Sequence, residues 1–240
     1  MAFGHTVHRV ERLRDPRDRA ERATRILDVA AGLLLRHGYR RVTIDDVAAG
    51  AEIGKGTVYL HWKTREQLFG AVFTREVCLA MDELRRALLD DPRTCLLHRF
   101  ARVYFLAIAR RPLLRGFVLA DPELIGKLTA TLDDRHTAMA RGYFDLLVRH
   151  GLLSDDLGAE EAGFAYQATF EGFLRASDDE HASDEAWERR ADLLARTVRR
   201  AFENDAAPDD AVVREVADAA AALLTEVIDA DLAASGITGE

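Results

Sequence analysis

The run KGTVYLHWKTR, from Lys55 to Arg65, carries the kinds of side chain that contact a nucleic acid. Lys55 stands at the start of a predicted helix, where its cation and the free backbone N–H groups favour a phosphate or a guanine edge. Gly56 has no side chain and permits close approach. Thr57, Tyr59 and His61 offer hydrogen bonds, while Val58 and Leu60 offer apolar contact to a thymine methyl group. Lys63 and Arg65 flank the end of the run as candidate phosphate contacts.

The net charge of the whole chain opposes this interpretation, because the 240 residues carry a formal charge of -8. The charge is unevenly distributed, however. Residues 1–65 contain 13 Lys and Arg against 8 Asp and Glu, whereas the remainder contains 20 against 33. This asymmetry indicates a basic module joined to an acidic one.

Other chemistry finds less support in the sequence. Adjacent carboxylates such as Asp90-Asp91 and Asp209-Asp210 fall at predicted helix starts or loops, where capping explains them better than general acid–base catalysis. His5 and His8 have the spacing of a metal pair but lack neighbouring carboxylates or thiolates. Cys78 and Cys95 fall on apolar helices, where a buried thiol is the default. We therefore predict no catalytic residue, no metal site and no cofactor.

The elements around the basic run are predicted to be helices. A first helix follows Pro16 and runs to about His37, with Gly38 as a left-handed C-cap. Thr43-x-x-Asp46 resembles the capping box of a short second helix, and the third covers about Lys55 to Trp62. A second capping box, Thr64-x-x-Gln67, begins a long fourth helix. Three short helices with a tight turn between the last two form a helix-turn-helix, whose final helix enters the major groove.

The rest of the chain also predicts an all-α fold, because no segment shows the alternating pattern of strands. An amphipathic helix is expected between Leu96 and Ile108, followed by a short apolar segment over 113–120. One helix or two are expected from Asp121-Pro122-Glu123 to His150. Three more are expected at 159–176, at 184–203 with Ser183 as N-cap, and from Pro208 to about Ala234. No uncharged stretch approaches the about 20 residues of a membrane span. Two cysteines without a disulfide pattern, and no apolar signal core, predict a cytoplasmic protein.

The stretch from Arg22 to Phe73 resembles the DNA-binding domain of the TetR family of bacterial transcriptional regulators, most specifically in KGTVYLHWKTREQLF. The resemblance implies that Thr43, Tyr59, Lys63 and Arg65 hold phosphates. It also implies that base edges face Lys55, Gly56, Thr57, Leu60 and His61. Two positions depart from the family pattern: Glu52 replaces a usual turn glycine and Gly54 replaces a common serine cap. We expect a slightly altered turn rather than a lost motif.

The resemblance further implies a helical effector-binding and dimerisation domain over 66–240, following a helix-turn-helix domain at 19–65 and a mobile arm at 1–18. Most aromatic residues there should form the core. Some are expected to line a pocket for a small lipophilic effector, namely Phe105, Phe117, Phe144, Tyr166 and Phe170. Homodimer contacts are expected from the helices near 159–176 and 184–203. Trp62 is predicted to be a core residue. For Tyr59, a place in the core and a place at the DNA interface are expected about equally.

The resemblance therefore implies a homodimeric repressor that binds a palindromic operator in double-stranded DNA and is released by a small molecule. A two-fold dimer presents two recognition helices to two half-sites. The alternative is an all-helical enzyme or a sequestering protein for a hydrophobic molecule that does not bind DNA. That alternative needs a catalytic cluster, which the sequence does not reveal.

Overall fold

The computed structural model describes residues 16–119, 133–176 and 183–235, and in these ranges it contains ten α-helices and no strand. The all-α prediction is therefore confirmed. The helices, which we number in chain order, are α1 Pro16–His37, α2 Ile44–Gly50, α3 Lys55–His61, α4 Arg65–Asp90, α5 Leu97–Ala109, α6 Pro112–Leu119, α7 Asp133–Arg149, α8 Ala159–Ala176, α9 Asp184–Phe202 and α10 Asp210–Ser235. A short 3-10 helix, Pro92–Cys95, precedes α5. The predicted helix start at Asp121 lies outside the described residues, as do His5 and His8.

The chain divides into two compact units. The first contains the described residues up to Arg75 together with Leu232–Ser235, and the second contains Glu76–Asp231. In the first unit, α1 packs against α2 and α2 packs against α3. Its core is made of apolar side chains at helical spacing, all at most 1% exposed: Ile26, Leu27, Ala30, Val47, Val58, Leu68, Phe69 and Val72.

Local signals in the sequence set the helix ends of the first unit. Gly38 has φ of 74°, the left-handed conformation expected after α1. The Thr43 hydroxyl accepts a hydrogen bond from the Asp46 backbone N–H, and the Asp46 carboxylate accepts one from the Thr43 N–H, so the predicted capping box is confirmed. At the start of α4, Gln67 donates its N–H to Thr64, but its side chain accepts from the backbone of Lys63.

The turn between α2 and α3 carries the departure from the family pattern. Glu52 adopts φ of 55°, which costs a non-glycine residue about 1 kcal/mol. Gly50 lies so close to α1 that an added Cβ would come within 2.7 Å of a methyl carbon of Val29. Glu52 thus adopts the left-handed conformation of the turn without being a glycine. Gly50, two residues earlier, is the position that needs glycine, because it packs closely against α1.

In the second unit, α5 packs against α9, and α7 packs against α8. Arg102 joins α5 to α9 through ion pairs with Glu188 and Asp192. The Tyr143 hydroxyl of α7 donates to the Cys95 carbonyl at 2.8 Å, and this bond is buried. Ser183 caps α9 by accepting from the Ala186 N–H, as predicted. Within the described ranges, no helix combines the length and apolarity required to cross a membrane.

Candidate functional site

Helix α3 has one buried face and one exposed face. Val58 is fully buried and Trp62, just after the helix, is 4% exposed, so the prediction that Trp62 belongs to the core is confirmed. The prediction that Val58 contacts a thymine methyl group is wrong, because its side chain packs inside the first unit. The opposite face presents Lys55, Gly56, Tyr59 and Leu60, the last with 61% exposure. An exposed leucine between polar groups suits contact with another macromolecule.

Lys55 is tied to the neighbouring helix. Its ammonium donates a hydrogen bond to the Asp45 carboxylate in the first turn of α2, with an Nζ–Oδ2 distance of 2.9 Å. This bond raises the pKa of Lys55 above its usual value, so the side chain stays charged. Sequence reasoning did not single out Asp45, because its partner lies ten positions away and across the turn.

Lys63 lies at the other end of the exposed face. Its ammonium donates to the backbone carbonyl of Tyr59 at 3.0 Å, while its own N–H donates to the Gln67 side chain. The Lys63 side chain remains exposed. The ring of Tyr59 is 37% exposed, so it belongs to the surface as well as to the edge of the core.

Arg65 is held within the first unit. Its Nε donates to the Val42 carbonyl at 2.9 Å, and a terminal nitrogen donates to the Tyr39 carbonyl. The guanidinium also lies over the rings of Tyr39 and Phe69, at 4.3 and 4.9 Å from their centroids. Arg65 therefore fastens the loop after α1 to the start of α4, and any phosphate contact would use its remaining donors.

Thr43 and His61 have environments that narrow their possible roles. The Thr43 hydroxyl both accepts from the Asp46 backbone N–H and donates to the Asp46 carboxylate at 2.7 Å.

The His61 ring is partly buried beside Trp62, with 5.3 Å between ring centroids. Burial and the nearby cations of Arg19 and Arg22 lower the pKa of His61 below its ordinary value. The ring is consequently neutral at neutral pH and offers one donor and one acceptor.

Aromatic rings fill the core of the second unit. Of the residues predicted to line an effector pocket, four form a continuous cluster, and Phe117 is buried on α6. The centroid distances are 5.6 Å between Phe144 and Tyr166, 5.8 Å between Tyr166 and Phe170, and 6.2 Å between Phe170 and Phe105. The buried hydroxyl of Tyr166 has no hydrogen-bond partner among the residues that the structure describes.

Two buried carboxylates in the second unit were missed by sequence reasoning. Glu203, at the end of α9, accepts from the backbone N–H of His98 at 2.6 Å, from the His98 ring and from Arg199. Burial opposes ionisation of Glu203, but these bonds outweigh it and the pKa lies below its ordinary value. Asp231, on α10, is paired with Arg135 and His136 of α7. Only the burial of an acidic residue, which a single sequence does not show, identifies either site.

Both cysteines are buried and free, as predicted, and burial raises the pKa of each thiol to about 12. In the part of the chain that is described, no group of three or more His, Cys, Asp or Glu side chains has an arrangement that could hold a metal ion.

The helix-turn-helix is similar in sequence to that of bacterial transcriptional regulators. The family model for bacterial regulatory proteins of the tetR family matches residues 26–72. The HTH-type transcriptional regulator Rv1556 of Mycobacterium tuberculosis is 40% identical over 70 residues, which are 29% of this chain and 35% of that protein. The match therefore spans about a third of that relative's length.

Two further proteins extend the similarity. The HTH-type transcriptional repressor KstR2 of Rhodococcus jostii is 28% identical over 126 residues, 52% of this chain and 50% of that protein. The structure of SmeT, the repressor of a Stenotrophomonas maltophilia multidrug efflux pump, has a TM-score of 0.59 at 22% identity, covering 78% of this chain and 93% of that one. SmeT has also been solved in complex with triclosan. At this identity the likeness establishes the fold, an N-terminal helix-turn-helix followed by a helical domain.

Proposed function

We propose that this chain, which belongs to the TetR family of bacterial regulatory proteins, is a DNA-binding transcriptional repressor released by a small molecule. The observation that carries the proposal is the exposed face of α3, in which Lys55, Gly56, Tyr59 and Leu60 point away from a packed core. A helix that is anchored by one buried face, and that presents polar groups and one apolar side chain on its exposed face, fits into a DNA major groove. In this role the chain catalyses no reaction and acts on operator DNA in the cytoplasm.

Contacts with DNA are proposed to divide between backbone and bases. Lys63 and Tyr59 hold phosphates at the end of α3, and Arg65 supplies a further contact through the guanidinium donors not used inside the unit. Thr43 is proposed to contact a phosphate as well, and it does so by giving up one of its two hydrogen bonds to the Asp46 carboxylate. Base edges face the start and middle of the helix, namely Lys55, Gly56, Thr57, Leu60 and His61. A neutral His61 suits this role, since it can donate to one base atom and accept from another.

The proposed dimer uses α8 and α9. Phe164 is 77% exposed on α8, and Ala168 and Gly172 follow it at four-residue intervals on the same exposed face. Leu193, 49% exposed, adds an apolar group on α9. A phenylalanine ring exposed to this extent beside small residues suits close packing against a second helix pair. A two-fold axis through this surface would present two copies of α3 to a palindromic operator.

The effector is proposed to enter the aromatic core of the second unit. Phe105, Phe144, Tyr166 and Phe170 provide apolar rings, and the unpartnered hydroxyl of Tyr166 provides one hydrogen-bonding group. A pocket with apolar walls and few polar groups selects a lipophilic molecule with a polar atom. Phe117 is proposed to contribute from α6. An effector that prefers a conformer with mis-spaced recognition helices would weaken operator binding by its difference in affinity for the two conformers.

A mobility-shift assay on the DNA upstream of the protein's own coding region, with and without candidate lipophilic effectors, tests the proposal. The expected result is a shifted band that an effector abolishes. Failure to bind that region or any selected sequence at low salt would favour the alternative, a helical protein that binds a hydrophobic molecule without DNA.

A further inference from the structure

The ion pair between Lys55 and Asp45 places an acid where the first unit is expected to meet a polyanion. Both side chains are exposed, with 48% of Lys55 and 67% of Asp45 accessible. The adjacent Asp46 is occupied by the capping box, whereas Asp45 takes no part in that box. A carboxylate on this surface opposes phosphate binding, so its presence calls for a compensating contact.

Lys55 and Asp45 keep hydrogen-bonding groups that their ion pair does not use. A lysine ammonium has three donors, and one donor of Lys55 goes to the Asp45 carboxylate. Among the described residues, Lys55 bonds only Asp45, so two donors remain available. The second carboxylate oxygen of Asp45, Oδ1, has no partner in the same part of the chain. The pair therefore presents two donors beside one acceptor.

A G·C base pair presents the complementary pattern in the major groove. Guanine offers two acceptors, N7 and O6, and cytosine offers an N4 amino donor next to O6. An A·T pair matches less well, because its amino donor, adenine N6, lies between its two acceptors, adenine N7 and thymine O4, whereas the two acceptors of a G·C pair are adjacent and both lie on the same side of the donor. We propose that Lys55 and Asp45 act together as a single reader of one G·C pair in each half-site, with Lys55 on guanine and Asp45 on the cytosine amino group.

Asp45 would also exclude other bases. An acceptor-only edge placed against its carboxylate leaves two unpaired acceptors facing each other, which is a repulsive element in the specificity. This inference rests on the proposed function, because it presumes that α3 enters the major groove. A purely structural role, in which Asp45 only stabilises the start of α2 or links it to α3, predicts a loss of stability without a change in base preference.

The test is selection of bound sequences from a random DNA pool by the full-length protein, followed by competition between duplexes that differ at one pair. Wild type, Asp45→Ala, Lys55→Ala and the double variant are compared. Glu21→Ala, an exposed acid of α1, is the control for the same change in net charge. Thermal unfolding of each variant is recorded in parallel.

The expected result is that Asp45→Ala keeps or slightly gains overall affinity but loses about 5- to 100-fold of the G·C preference at one position only. Lys55→Ala should lose preference at the same position, and the double variant should lose no more than the larger single effect. Glu21→Ala should retain the wild-type consensus.

Two results would overturn the pairing. One is an unchanged consensus and competition ratio in Asp45→Ala, and the other is an even loss of preference at every position together with a lower melting temperature. If the wild type itself enriches no sequence, the proposed function fails, and this outcome is recognised before any variant is compared.

Discussion

The Asp231 carboxylate, on α10, accepts a hydrogen bond from Nε2 of His136, on α7, at 2.7 Å. Arg135 adds two further donors to the other oxygen of the same carboxylate, the shorter at 2.9 Å. The Asp231 side chain is fully buried, whereas both partners reach solvent. A buried charge is tolerated when it is fully hydrogen-bonded, so this cluster fastens the last helix to α7.

Replacing Asp231 with alanine should lower the free energy of unfolding by about 2 kcal/mol, because three hydrogen bonds to a buried carboxylate are lost while Arg135 and His136 regain water. Urea denaturation followed by circular dichroism measures the change. Asp229→Ala, at an exposed position of the same helix, is the matched control and should stay within about 0.5 kcal/mol of wild type. Equal stability of the two variants would show that the cluster contributes nothing.

Glu203 should make stability depend on pH in the acid range. Its folded-state pKa lies below the ordinary 4.5, so its contribution is fully present above that value and is lost as pH falls through the folded pKa. Glu203→Gln should lose less stability than wild type when the pH is lowered from 7 to about 3, since the amide does not titrate. Denaturation at both pH values gives the comparison. Parallel losses in the two proteins would contradict the assigned pKa shift.

Lys63→Ala should weaken DNA binding to every sequence and reduce the slope of log affinity against log salt by about one unit, because one phosphate contact is removed. Fluorescence anisotropy on operator and random duplexes at several salt concentrations measures both effects. Arg214→Ala removes an exposed cation from the second unit and should leave the slope as in wild type. An unchanged slope in Lys63→Ala would remove this residue from the phosphate contacts.

Phe164→Glu should shift the protein from dimer to monomer, because a charge would replace the most exposed aromatic ring in the proposed interface. Sedimentation velocity over a range of protein concentrations measures the dimer dissociation constant, which should rise about tenfold or more. Leu89→Glu, at a 55% exposed position of α4 outside the proposed interface, introduces the same charge in place of an apolar side chain and serves as control. A wild-type dissociation constant in Phe164→Glu would place the interface elsewhere.

The helices and their ends were predictable because their causes are local. A capping box joins residues three apart, as in Thr43 and Asp46, and a left-handed C-cap depends on one glycine. The exposed basic run at α3 was equally predictable, since helical periodicity places Trp62 and Leu60 on different faces. The prediction that Val58 contacts DNA was wrong all the same, because Val58 falls on the buried side of a helix only seven residues long.

The sequence by itself determined an all-α chain with a basic helix-turn-helix, because helix periodicity, caps and charge distribution all act over a few residues. Only the tertiary structure decided which polar side chains meet. Glu203 and His98 are 105 positions apart, Asp231 and His136 are 95 apart, and Asp45 reaches Lys55 across a turn. Such pairs depend on how separate helices pack, and Glu203 and Asp231 are in addition buried by that packing, so neither the partners nor the pKa shift of Glu203 can be read from residue types alone.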